Sequence, residues 1–167
     1  MDTHPDEGRI QRILVGVDGS EGAETAVRWT AQLARQTGAD VVAAHALSTP
    51  VFADGFVFAA GTGYEEWLRA WKELRSYTQR TMEQDWCRPL AEAGIAFRAV
   101  IVDGGPEALI ALAVSVEADI LVVGRRGRGG FAELVLGSFS HHLVHHCTQP
   151  VVVVPPVESA TFDRALV

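Results

Sequence analysis

The sequence predicts a doubly wound α/β fold, one open parallel sheet with helices on both faces. Five short apolar runs alternate with four stretches of helical periodicity, giving β-α-β-α-β-α-β-α-β. Most of the runs are continuously apolar rather than alternating, as strands covered on both faces require. Right-handed crossovers between such strands lead to an open, doubly wound sheet.

Each element has a local reason. "RILVGV" (12–17) is a buried strand that ends at the turn residues "DGS". Asp18 or Ser20 can cap the helix that follows, in which Ala23, Ala26, Val27, Thr30, Leu33 and Ala34 recur at helical spacing. Gly38 stops it. "DVVAAHAL" (40–47) is the second strand. Residues 48–63, rich in Gly, Ala and Phe, show no period and read as a loop. A long helix is expected from about Glu65 to Ala93, kinked near its end by Pro89. "AFRAVIV" (96–102) is the third strand, and Pro106 opens an apolar helix. "DILVVG" (119–124), a helix over 138–146 and "PVVVVP" (150–155) complete the series. The expected organisation is a disordered lead (1–9), one domain (10–155) and a C-terminal tail (156–167).

Composition narrows the function classes. Fourteen Lys and Arg against twenty-one Asp and Glu give a formal charge of -7, which argues against a dedicated nucleic-acid binder. The first residues lack the apolar stretch of a signal peptide, and no run approaches the ~20 apolar residues of a membrane span. A soluble, cytoplasmic protein is expected. Cys87 and Cys147 form no C-x-x-C pair and read as two buried thiols. The four histidines of "HHLVHH" form two i, i+4 pairs without an evident third metal ligand, and no metal site is expected. Trp67, Trp71 and Trp86 read as core residues rather than a stacking box.

The chemistry concentrates in "GRRGRGGFAELVLGSFS" (124–140). Its glycines fit G-x2-G-x9-G-[ST] on Gly124, Gly127, Gly137 and Ser138. Glycine lets a backbone approach a phosphate closely. Gly137 and Ser138 open a helix whose free N–H groups and positive dipole end attract anions. Ser138 and Ser140 can add hydroxyl donors, and Arg125, Arg126 and Arg128 place positive charge beside the cradle. No G-x4-G-K-[ST] is present, so this is not a P-loop. In an open α/β sheet, ligands bind outside the carboxyl ends of the strands. If the first and fourth strands are neighbours, Asp18 faces this loop across a cleft.

"RILVGVDGSEGAETAVRWTAQLA", "VDGGPEALIALA" and "ADILVVGRRGRGGFAELVLGSFSHHLVHHCTQPVVVVP" together resemble the universal stress protein family over about residues 10–155. The resemblance implies a five-stranded parallel sheet in order 3-2-1-4-5, and the ATP-binding branch of the family. It places the nucleoside beside Gly16, Val17, Asp18, Ala46 and Gly104. It places ribose and phosphates beside Gly124, Gly127, Gly137, Ser138, Phe139 and Ser140, to which the charges of Arg125 and Arg126 add two candidate phosphate contacts. Mg2+ can accompany the nucleotide, with Asp18 and Asp103 as candidate holders. A homodimer through strand 151–154 is also implied, along with a regulatory role read by a protein partner. Slow ATP hydrolysis and a nucleotide-free adaptor are the alternatives. Arg125 departs from the small residue many members carry there, and the 48–63 loop with Phe52, Phe56 and Phe58 is no family signature.

Overall fold

A computed structural model describes residues 9–48, 63–127 and 136–156 of the chain. The strands are β1 (Arg12–Gly16), β2 (Asp40–Leu47), β3 (Phe97–Asp103), β4 (Ile120–Gly124) and β5 (Val151–Val154). The helices are α1 (Glu21–Thr37), α2 (Gly63–Thr81), α3 (Arg88–Glu92), α4 (Pro106–Ser115) and α5 (Ser138–His146). All strand pairs are parallel, and the order is β3-β2-β1-β4-β5, as expected. The loop expected over 48–63 falls almost wholly outside the described residues, as do Arg128, the 1–9 lead and the tail beyond 156.

The continuous apolar runs have a direct cause. Along β1, Ile13 and Val15 point to one face and Leu14 to the other, and all three are fully buried. Ile13 and Val15 meet Ala26, Val27 and Ala31 of α1, with Leu90 of α3. Leu14 meets Leu109 and Ala113 of α4 and Leu143 of α5. A strand with both faces covered has no position for a polar residue. Truncating Leu14 would cost about 2–5 kcal/mol, because the cavity cannot close around a rigid strand.

Helix α1 starts and stops where its sequence directs. Ser20 caps it by accepting the Ala23 N–H at 3.2 Å. Gly38 ends it at φ 73°, a left-handed conformation in which its own N–H bonds the Ala34 carbonyl.

The single long helix expected over 65–93 is interrupted. A π-helical turn (Met82–Trp86) separates α2 from α3, and Cys87 N–H reaches Met82 O at 2.9 Å. Pro89 sits at the start of α3 rather than at a kink near the end. Proline has no N–H for the carbonyl four residues back, and its ring crowds that carbonyl. The wider turn relieves this conflict before the proline is reached.

Helix α2 lies along the β3 side of the sheet. Arg75 donates to the Ile101 carbonyl at 2.9 Å and pairs with Asp103, and Gln79 donates to the Ala99 carbonyl at 3.3 Å. Side chains of α2 therefore occupy backbone acceptors of the edge strand. Two of the three tryptophans assigned to the core lie elsewhere: Trp67 and Trp71 are half-buried and stack on each other at 6.2 Å on α2, whereas Trp86 packs against the core.

The two thiols differ as well. Cys87 is fully buried, and Cys147 is only half-buried. Burial pushes the Cys87 thiol up from 9.0 to about 12, and the nearby Glu83 carboxylate adds to the effect. The native thiol then keeps its proton where the unfolded one loses it. This contribution is neutral below the unfolded pKa and destabilising as pH rises above it. The urea midpoint of the wild type is expected to fall between about pH 8 and pH 10.5 more steeply than that of Cys87→Ala. In the native protein at pH 8, mass spectrometry after alkylation should find Cys147 labelled well before Cys87.

Candidate functional site

Because β1 and β4 are parallel neighbours, their carboxyl ends finish at the same rim. The Gly16–Asp18 exit of β1 and the Gly124–Gly127 exit of β4 therefore face one another. A cleft of about 430 Å3 opens between them. That volume is in the range of small-molecule and cofactor sites. Its floor is apolar, formed by Ala44, Leu109 and Val123. A Cβ on Gly16 would come within 3.0 Å of Val123 Cγ1 and 3.3 Å of Leu109 Cδ2, so glycine there keeps the floor open.

The walls come from three more places. His45, Ala46 and Ser48 end β2. His45 Nδ1 lies 2.7 Å from the Val17 carbonyl. A carbonyl can only accept, so Nδ1 carries the hydrogen. Val17 N–H in turn donates to Ala44 O at 2.8 Å, which ties the exits of β1 and β2 together. On the far wall, Gly137, Ser138, Phe139 and Ser140 present the N-terminus of α5. Gly137 is the N-cap residue, and among the described residues no side chain caps the helix. The first-turn N–H groups of α5 thus point outward with the positive end of the helix dipole. Arg126 adds a cation to the same rim.

Asp18 is held from below. Its Oδ1 accepts both the Ser20 N–H (2.9 Å) and the Ser20 hydroxyl (2.6 Å). Its Oδ2 lies where a Cβ on Gly127 would be 2.5 Å away. Ser20, rather than Asp18, is the helix cap, which leaves the carboxylate at the cleft.

Of the thirteen expected site residues, eleven line this cleft: Gly16, Val17, Asp18, Ala46, Gly124, Arg126, Gly127, Gly137, Ser138, Phe139 and Ser140. Arg125 and Gly104 do not. Arg125 lies just beyond the end of β4, and its buried Nε has no hydrogen-bond partner among the described residues. Its backbone is engaged on both sides: N–H to Val154 O at 2.8 Å, and O from Gly137 N–H at 3.0 Å. Gly104 serves the turn after β3, with φ 130° and its N–H on Leu47 O at 3.0 Å.

Two further expectations change. The Ser140 hydroxyl is buried and donates to Gly124 O at 2.8 Å, so its hydrogen is committed to the fold. Asp103 is paired with Arg75 and lies outside the cleft wall. The histidines of α5 pair as foreseen, with ring centres 4.4 Å apart for His141–His145 and 4.3 Å for His142–His146. His142 also meets Glu107 of α4 at 3.2 Å. Among the described residues, no three His, Cys, Asp or Glu side chains gather as a metal-binding group.

Sequence reasoning missed Ala23, Ala44, His45, Ser48, Leu109 and Val123 as lining residues, and Gly22 as a contact behind them. His45 had a signal, a lone polar ring in the apolar run "VVAAHAL". Gly22 had one too, a glycine inside the first turn of a helix.

An open α/β sheet with a cleft at its carboxyl rim and a glycine-bordered helix N-terminus defines a class of small-molecule-binding domains with an anion-binding corner. Residues 9–155 match the model of the universal stress protein family, and the chain belongs to that family. A universal stress protein of Mycolicibacterium smegmatis is 30% identical over 155 residues, covering 92% of this chain and 51% of the relative. The chain thus spans about half the length of that curated relative. Among solved structures, the hypothetical protein MJ0577 matches with a TM-score of 0.73 at 23% identity, covering 90% of this chain and 99% of that one. A universal stress protein in complex with cAMP matches with a TM-score of 0.59 at 26% identity, covering 88% and 98%. Among the described residues, no helix is long and apolar enough to cross a membrane.

The two serines of the α5 N-terminus should separate in a stability assay. Ser140→Ala leaves the buried Gly124 carbonyl without its donor and is expected to cost about 1–3 kcal/mol in urea unfolding. Ser138→Ala, at an exposed position, should stay within about 0.5 kcal/mol of wild type. Equal effects would contradict the assignment of the buried bond.

Proposed function

We propose that the chain binds an adenine nucleotide, ATP being the one expected, and acts as a stress-related regulatory protein of the cytoplasm. The observation that carries this reading is the joining of two unlike halves in one cleft. The half formed by Gly16, Val17 and Ala46 offers an apolar slot with backbone groups, suited to a purine. The half formed by Gly124, Gly127, Arg126 and the α5 N-terminus offers N–H groups and a cation, suited to phosphates. Asp18 stands between them, where a ribose hydroxyl could donate to its carboxylate. The cAMP complex of a relative at 26% identity supports the ligand class.

Mg2+ would arrive with the nucleotide, beside Asp18. Hydrolysis finds less support, because Asp103 is engaged by Arg75 away from the cleft. The proposal includes a homodimer through β5. Val151, Val152 and Val153 are only half-buried on this edge strand, so pairing would remove apolar surface and unpaired backbone groups from water together.

Calorimetric titration with ATP, ADP, AMP and cyclic AMP tests the ligand. Saturable binding of ATP is expected, and Gly137→Asp should weaken it about tenfold or more by placing a carboxylate against the phosphates. No heat from any of the four at millimolar concentration would sink the nucleotide reading. Sedimentation equilibrium tests the assembly, and a monomer mass at every accessible concentration would remove the dimer.

A further inference from the structure

We propose that Gly22 is a positioning residue for the phosphate half of the cleft, a role that rests on the nucleotide reading above. Gly22 lies in the first turn of α1 and does not line the cleft. Glycine inside a helix is ordinarily a cost, and alanine would be preferred. Here a Cβ has no room. Built on Gly22, it would fall on the Arg126 carbonyl oxygen, far inside 3.0 Å. Built on Gly124, it would fall on the carbonyl of Gly22 and within 2.9 Å of Ala23 N. These neighbours are backbone atoms that cannot swing aside as a side-chain end can.

The first turn of α1 therefore lies backbone against backbone on the chain leaving β4. The contacts close a ring. Asp18 holds Ser20, Ser20 caps α1, Gly22 of α1 abuts Arg126, and Gly127 abuts Asp18. One side of the ring carries Arg126 and Gly127, which face the cleft. A methyl at position 22 pushes the Arg126 carbonyl outward and carries the phosphate contacts with it. The slot formed by Val17 and Ala46 lies outside the ring segment that moves. The disturbance thus falls on phosphates and spares the nucleoside.

The test compares wild type and Gly22→Ala with ATP and with adenosine as separate titrants. The expected result is about tenfold or more loss of ATP affinity with adenosine affinity changed by less than about threefold. The melting temperature of the ligand-free variant should also fall, although helix propensity alone would raise it. ATP affinity within about twofold of wild type, or a raised melting temperature, overturns the proposal. Equal losses for both ligands overturn it too, because they indicate general damage. If the variant does not fold, hydrogen exchange on the wild type decides. ATP, but not adenosine, should slow the amides of residues 22–25 together with those of 124–127. Slowing at 124–127 alone overturns the proposal. Wild type that binds neither titrant defeats the nucleotide reading instead, and the sign of the melting shift still judges the packing of Gly22.

Discussion

β1 and β4 lie side by side, with Ile13 opposite Ile120, Leu14 opposite Leu121 and Val15 opposite Val122. Every feature of the cleft hangs from this pairing. Parallel direction brings both strand ends to one rim, and the register sets which residues face each other across it. A slip of one residue would carry Leu14 from the α4 and α5 side to the α1 side and bury the wrong face of the strand. The complete burial of Ile13, Leu14 and Val15 makes that slip expensive. The hydrophobic core, in this sense, sets the geometry of a polar site.

Within the site, most side chains able to do chemistry already have an occupation. Asp18 Oδ1 holds Ser20, the Ser140 hydroxyl holds Gly124, and His45 holds Val17. The start of α5 adds backbone N–H groups that no side chain of the described residues caps. Such groups need no rearrangement to meet an anion.

Much of this was readable along the chain, because much of it is local. The buried strands announce themselves as unbroken apolar runs, Ser20 and Gly38 bracket α1, and the spacing of Gly124, Gly127 and Gly137 marks the anion corner. Contacts between distant segments were harder to foresee. Gly22 and Arg126 are far apart in sequence, and only the fold puts the first turn of α1 on the second residue after β4. The same limit explains Arg125, Ser140 and Gly104. A residue type in a motif tells what it can donate, but not where the fold places it or what claims its hydrogen first. The π turn before Pro89 was hidden for another reason: both a kinked helix and an interrupted one keep the same apolar face.

The hold of α2 on β3 has a consequence for assembly. The sheet has two borders, β3 and β5. Arg75 and Gln79 already occupy carbonyls of β3, so that border offers no ready template for another strand. Among the described residues, no side chain occupies the backbone of β5 in the same way. Two chains joined at β5 about a two-fold axis, as proposed above, would form a closed pair. In the proposed dimer, the α2 side chains on β3 would then guard the two outer borders of the joined sheet against further strand addition.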